Sequence, residues 1–384
     1  MRDAAAPRAI EVGRGRGVLL VEEGWSQTLA LAAALEDAGH AVTVLTANGG
    51  AARCVRRTVR WCSGPALDDT RFVAHVDRVV REAGVAHVVP MTEAVMTRLW
   101  HARPAWADRI VPAADDRQRR LLRDKLVMTE HMATRGLLVP RQRRLTPATD
   151  PRALIGALGL PLVVKAAAGS GGRRVWIVET AAQLARALAR ARALGGEWGV
   201  QERVAGPTFL VGGVFHAGRP LRIYAAEKLE QHPPRTGPAI RLRSDDDPAL
   251  LELGLRAIGE LGWTGFASVD CIRRPDGRHV FLEINPRLWG SCAAARSAGV
   301  DLFAPFAALL AGDVPAPDLG FTAGDDHRIF PRYLLSPRYW HPAGAARAVR
   351  DLLRHPRQDW RHAAFVRHVL TRLYRLGWPG RPGG

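Results

Sequence analysis

The sequence predicts a mixed α/β and α+β protein: an open parallel α/β unit over residues 1–112, then an antiparallel-rich unit, then a basic helical tail. Three observations carry this. Up to residue 112, short apolar runs alternate with helical stripes, the pattern of a parallel sheet with crossover helices. From Trp198 onward, strand-length runs are joined by Gly- and Pro-containing turns, which is antiparallel patterning. After Gly320 the chain turns basic and rich in Trp and Arg.

The elements read as follows. Gly17–Glu22 is a buried strand, and Leu29, Ala32, Ala33 and Leu35 form a helical stripe that stops at Gly39. Ala41–Thr46 alternates as a strand, Phe72–Ala83 is a helix and residues 85–90 are another buried strand. Its end, Pro90-Met91-Thr92-Glu93, lies where open α/β sheets place ligands, so Glu93 either reaches a substrate or serves as a helix-entry carboxylate. Without GxGxxG after the first strand, this unit does not read as a dinucleotide site. Residues 115–135 form one helix, followed by a Gly- and Pro-punctuated connection. Residues 153–158 are helical, 160–166 form a strand ending on Lys165, and Val175–Val178 is the return strand after a Gly-rich loop. Thr180 and Gln183 form a capping box that opens a helix running to Leu194.

Residues 200–204, 209–215 and 221–229 are strands, residues 232–237 an exposed Pro-rich loop and 250–261 a helix. Residues 266–272 and 279–284 make a hairpin over Pro275-Asp276-Gly277, and Asp301 caps a last core helix to Leu310. Residues 345–354 and 363–375 read as helices with apolar stripes, suited to packing or to a membrane surface or partner.

Size and composition bound the rest. A chain of 384 residues calls for two or three packed units, and 47% hydrophobic with 24% charged residues is a soluble globular composition. The first nine residues carry no apolar signal region, and the longest apolar stretches, 29–35 and 303–311, are too short to span a bilayer. Cys54, Cys62, Cys271 and Cys292 contain no CxxC pair, which argues against zinc and a disulfide scaffold and leaves the cytoplasm as the expected compartment. The net charge of +18 is compatible with a polyanion partner. However, 52 of the 55 basic residues are arginine, spread along the chain as coding bias would spread them, so nucleic acid is not indicated. Lysine survives only at Lys125, Lys165 and Lys228, where a compact ammonium would act as a point charge.

One stretch concentrates chemistry: Val280-Phe281-Leu282-Glu283-Ile284-Asn285-Pro286-Arg287-Leu288-Trp289-Gly290-Ser291. On an extended strand Glu283, Asn285 and Arg287 share one face, with Leu282 and Ile284 on the other. An acid and an amide oxygen at this spacing suit Mg²⁺, and the arginine suits a phosphate or carboxylate; a strand leaving the core through a polar edge looks the same. There is no GxxxxGK[ST], yet Lys165 before Gly169-Ser170-Gly171-Gly172 can cover phosphates with backbone donors and an ammonium.

Taken in order from Asp115 to Gly312, these motifs resemble the ATP-grasp superfamily: Asp124-Lys125, PLVVKAAAGSGGRRV, VQERVAG, Lys228, GFASVDCI and LEINPRLWG. The last run looks most like the carbamoyl-phosphate-synthase-like members. The resemblance implies a pre-ATP-grasp α/β domain over 1–112 and a two-lobed ATP-grasp domain, with its small lobe and linking helix at 113–200 and its large lobe at 201–320. A basic helical extension at 321–384 is not covered.

It further implies ATP as cofactor with Mg²⁺ or Mn²⁺. Lys125, Lys165 and Gly169, Ser170, Gly171 and Gly172 fall on the phosphates, and Glu202, Arg203, Val204 and Phe281 on the adenine. Asp270, Glu283 and Asn285 fall on the metals, and Lys228 and Arg287 serve as the catalytic cations. Thr208 stands where many members carry a ribose-binding Glu and receives no role. The implied activity is ATP-dependent ligation of a small-molecule carboxylate to an amine through an acyl phosphate. A kinase or carboxylase of the same fold, or a non-catalytic ATP-binding module, are the alternatives. Substrate identities and oligomeric state are not readable.

Overall fold

A computed structural model describes residues 17–22, 26–46, 60–64, 70–169, 172, 174–329, 332–339, 343, 344 and 346. The first unit is the expected open parallel sheet. Strands β1 (Gly17–Glu22), β2 (Ala41–Thr46), β3 (Arg60–Ser63) and β4 (His87–Pro90) run parallel in the order β3-β2-β1-β4. Helix α1 (Ser26–Asp37) follows β1, and α2 (Phe72–Ala83) buries Phe72, Val76, Val79 and Val80 before stopping at left-handed Gly84. Helix α3 (Glu93–Ala102) starts directly beyond β4, its N-cap Thr92 accepting from the Val95 amide at 3.3 Å.

The single helix expected over 115–135 is two helices, α4 (Asp116–Arg123) and α5 (Lys125–Thr134). Asp124 breaks them. Its backbone is extended and its Oδ1 accepts from the amides of Leu126 and Val127 at 2.8 and 3.2 Å. An Asp that satisfies orphan amides is worth more as a cap than as an interior residue. The break makes Lys125 the first residue of α5, and its amide donates to the Ala167 carbonyl at 2.9 Å.

The small lobe is a four-stranded antiparallel sheet, β5-β8-β6-β7, of β5 (Gln142–Arg144), β6 (Leu162–Ala166), β7 (Val175–Val178) and β8 (Trp198–Glu202). Helices α6 (Pro151–Leu158) and α7 (Ala181–Leu194) cover one face, and α7 opens on the expected capping box of Thr180 and Gln183.

The large lobe is a six-stranded antiparallel sheet in the order β13-β12-β9-β10-β11-β14. Its strands are β9 (Thr208–His216), β10 (Arg219–Gln231), β11 (Ala239–Ser244), β12 (Gly265–Arg273), β13 (His279–Asn285) and β14 (Asp326–Arg328). Helix α8 (Pro248–Leu261) packs on one face; α9 (Ala293–Ser297) and α10 (Phe303–Ala311) lie on the other side, α10 against α1. Asp301 caps α10 by accepting from the Phe303 amide at 2.8 Å.

The segment assigned to a helical extension from 321 instead begins as sheet: β14 pairs with β11, and a 3-10 turn at Arg332–Leu335 follows. Strand β11 is not among the expected elements, although Ile240 and Leu242 alternate with the outward Arg241 and Arg243. The helices expected over 345–354 (apart from Ala346) and 363–375 lie outside the described residues.

Apolar packing divides the molecule unevenly. One core runs from Leu19, Val76 and Trp100 of the first unit into Phe209, Ile258 and Trp263 beneath the large sheet. A second joins Leu20 and Leu31 to Tyr224, Phe266 and Phe306. The small lobe has its own core, of Leu158, Val164, Leu188, Trp198 and Val200 among others.

Candidate active site

Alternation along the large sheet sets the site. On β9, odd-numbered Phe209, Val211 and Phe215 enter the core under α8, so even-numbered Thr208 and Leu210 face the opposite way. On β12 the same rule sends Ala267, Val269 and Cys271 inward and turns Ser268, Asp270 and Ile272 into a cleft of about 570 Å³ between the lobes. Asp270 stands directly across the ladder from Glu283 on β13.

Each carboxylate meets a lysine. Lys228 Nζ donates to Asp270 Oδ2 at 2.6 Å, and Lys125 Nζ donates to Glu283 Oε2 at 2.5 Å. Asn285 Nδ2 reaches Glu283 Oε1, and Arg287 Nη2 reaches Asn285 Oδ1, both at 3.4 Å. Arg287 also lies 3.0 Å from Glu93 Oε1, so the first residue of α3 closes this chain of charges from the first unit. Glu93 is thus the helix-entry carboxylate that the sequence allows, and it is paired with Arg287.

The charges are tuned by this crowding. Burial alone would raise the Glu283 carboxyl, but the Lys125 ammonium, with Lys165 and Lys228, holds it down to about 2. Burial pushes Asp270 upward, with Lys228 opposing and the Glu283 charge adding to the rise. Burial works against the Lys125 ammonium, yet Glu283 and Glu93 outweigh it and its value rises. Lys165 lies at the end of β6, 7% exposed, and makes no hydrogen bond or ion pair among the described residues. Burial, with the repulsion of Lys125, lowers it to about 8.

Opposite the sheet, the small lobe contributes Val163, Lys165, Gly172, Val175 and Ile177. Gly172 has φ +70°, and a Cβ there would overlap the Thr236 carbonyl. The Gly-rich loop therefore meets the loop of residues 232–237, the exposed Pro-rich loop expected from the sequence; Arg235, Thr236 and Gly237 line the cleft. Gly169, at φ +123°, lies just before this contact, and Ser170 and Gly171 fall outside the described residues.

Two expected adenine contacts face elsewhere. The β12–β13 register slips between Asp270/Cys271 and Glu283/Phe281, leaving Leu282 as the extra residue of a β-bulge. The bulge reverses alternation, so Phe281 enters the core with Cys271 and Ile284 while Leu282 lines the cleft. Glu202 shares the parity of Trp198 and Val200, and its carboxylate accepts from the Arg141 amide and Nε at 3.0 and 2.6 Å, away from the cleft. Gln201, Arg203 and Val204 line it instead. The parity of Trp198 and Val200 was the signal available for Glu202; the bulge had none. Gln27, Met91, Thr92, Trp289, Gly290 and Arg332 also line the cleft, at the end reached by the first unit and the C-terminal turn.

The donor set suits a hard divalent cation: two cross-strand carboxylates and an adjacent amide oxygen, in a cleft whose lysines can hold phosphate. Among known proteins, residues 122–291 match the ATP-grasp domain family. A D-alanine–D-alanine ligase of Desulforudis audaxviator (strain MP104C) is 33% identical over 181 residues, 43% of this chain and 58% of that protein. The one from Ectopseudomonas mendocina (strain ymp) is 29% identical over 210 residues, 51% of this chain and 67% of that protein. This chain therefore spans little more than half the length of the first of these relatives. Among solved structures, the biotin carboxylase–βγ-ATP complex from Campylobacter jejuni superposes with a TM-score of 0.69 at 17% identity, covering 83% of this chain and 75% of that one.

Proposed function

We propose that this chain, whose residues 122–291 match the ATP-grasp domain, is an ATP-dependent ligase joining a small-molecule carboxylate to an amine. The observation that carries the reading is the Asp270–Glu283 pair, each carboxylate answered by a lysine, with Arg287 continuing the same edge. Lys125, Lys165, Lys228 and Arg287 stand against Glu93, Asp270 and Glu283, so the cleft is left with an excess cation for a polyphosphate.

In this reading Lys125 and Lys165 hold the α- and β-phosphates under the loop of Gly169–Gly172. The backbone at Arg203 and Val204 meets the adenine edge, and Leu282 packs against the ring in the place expected of Phe281. Asp270, Glu283 and Asn285 would hold Mg²⁺ or Mn²⁺, which would supply charge neutralisation between phosphate oxygens. Lys228 and Arg287 steady charge on the γ-phosphoryl as it passes to the carboxylate oxygen with loss of ADP. The amine then attacks the acyl carbon, phosphate leaves with the C–O bond pair, and the amine gives up a proton.

The domains follow the cleft: a pre-ATP-grasp unit to about residue 112, the small lobe to about 200 and the large lobe beyond, extended by β14 past 320. The cytoplasm, where ATP is abundant, is the compartment we assign.

Hydroxylamine intercepts acyl phosphates, so ATP with a panel of carboxylates should yield a hydroxamate. ATP turnover with acids but never a hydroxamate would sink the ligase. A product without new nitrogen would favour a kinase or carboxylase of this fold.

A further inference from the structure

The small-lobe wall of the cleft carries a row of side chains that runs straight across its sheet. Ile177 on β7 stands opposite Val163 on β6, Val163 opposite Gln201 on β8, and Gln201 opposite Gln142 on β5. Trp198 and Val200 enter the small-lobe core, so by alternation Gln201 faces the other way. It lines the cleft beside Val163 and Ile177. Two branched apolar side chains followed by one amide make a surface for a flat ring with a polar edge.

A side-chain amide can present either its oxygen or its nitrogen, and the two ends read opposite partners. Here the choice is made outside the cleft. Gln142 Nε2 donates to the Leu126 carbonyl of α5 at 2.8 Å and to Glu130 Oε1 at 3.4 Å. Both of those partners are acceptors, so Gln142 turns its oxygen toward Gln201. Gln201 Nε2 donates to that oxygen at 2.8 Å, which leaves Oε1 as the free end of the amide. Gln201 is only 4% exposed, and its Oε1 accepts from no described residue.

We propose that Gln142 is a positioning residue: by fixing the Gln201 amide, it sets which purine edge the cleft accepts. The inference rests on the nucleotide reading of the cleft and deepens it. A fixed oxygen accepts from an exocyclic amine, the group that adenine carries at position 6. A 6-oxo purine would set oxygen against oxygen there, and two buried acceptors with no proton between them are unfavourable.

The test uses the full chain and compares MgADP with MgIDP, whose bases differ only at position 6 and the adjoining ring nitrogen. Binding is read by calorimetry. The native protein should prefer MgADP by about tenfold or more. Gln142→Lys puts a donor-only group beside Gln201, so the amide turns over and the preference should move toward MgIDP by about tenfold or more. Gln142→Met, which removes the acceptor without adding charge, should lower the same preference and serves where the lysine disturbs the fold. Gln142→Glu still accepts from Gln201 Nε2, although it gives up both outer bonds, so it should keep the native preference. A merely structural role would treat Gln142→Glu and Gln142→Lys alike. The inference is overturned if the native protein binds both nucleotides equally, if Gln142→Lys leaves the ratio unmoved, or if Gln142→Glu loses it as fully as Gln142→Lys. Native protein that binds neither nucleotide overturns the nucleotide reading itself, and this inference with it.

Discussion

The two walls of the cleft are built differently. The large-lobe wall, with Asp270, Glu283, Asn285 and Lys228, lies on a sheet whose two faces share apolar cores with the N-terminal unit. The small-lobe wall, with Lys165 and Gly172, lies on a four-stranded sheet with a separate core. A shared core resists local opening and a separate one permits it, so the difference assigns fixed geometry to the wall of Asp270 and Glu283 and freedom to the wall of Lys165 and Gly172. Joints between the walls include the Lys125–Glu283 bridge, the meeting of Gly172 with Thr236 and the exposed Arg235–Glu179 ion pair.

The contrast is broken most directly by removing core volume on each side. Phe281→Ala should cost about 3–5 kcal/mol and Leu188→Ala about 2–5 kcal/mol, read by denaturant unfolding. Hydrogen exchange should then show the Phe281 loss across both the N-terminal unit and the large lobe, and the Leu188 loss in the small lobe alone. If Leu188→Ala loosened all three sheets equally, the two walls would be one cooperative body.

Glu283→Gln keeps the shape of the fixed wall and removes its charge. ATP turnover should fall about 10²–10³-fold, roughly 3–4 kcal/mol in the barrier, and thermal stability should fall as well because Lys125 loses its buried partner. A variant that retained most of its turnover would mean the wall is not a metal and phosphate site.

The smallest effect sharpens the movable wall. Lys165 has a folded value of about 8, so its ammonium is present below that pH and lost above it. MgADP affinity should decline as pH rises through 8, by at most about tenfold per unit, and Lys165→Arg should flatten the profile. Linkage runs the other way for folding. The folded value lies below the ordinary lysine value, so the folded state binds fewer protons and this group's contribution to stability increases with pH across that interval. An affinity unchanged from pH 7 to 9 would place Lys165 away from the nucleotide.

Most of this architecture was legible in the chain. Strand-length apolar runs located β9 and β12, and punctuation by Gly, Pro and capping residues bounded α7 and the β12–β13 hairpin. Two misreadings arose where one residue overrode a pattern. Asp124 ends one helix and begins another because its side chain outcompetes continuation of the helix, and Leu282 reverses the parity of β13 by being one residue too many for its partner. Strand β11 went unread although Ile240 and Leu242 alternate with Arg241 and Arg243. Of the site, Glu283, Asn285 and Arg287 were readable from their spacing on one strand, whereas Asp270 came only from the resemblance to a known family. Arg332 was not readable, because nothing in the sequence says that the turn after β14 meets the cleft.

The bridge from Lys125 to Glu283 has a consequence for what ligand entry means here. The backbone of Lys125 is tied to Ala167 at the end of the small-lobe strand, while its side chain grips the large-lobe sheet. The Lys125–Glu283 pair is thus neutralised within the protein, and the same contact spans the two sides of the cleft. A nucleotide in the place proposed for it would have to exchange with an ion pair already in place. Entry becomes a ligand substitution in which the protein releases one of its own counterions. The free energy of that exchange, more than diffusion into an open pocket, would set how tightly an unmetallated nucleotide is refused.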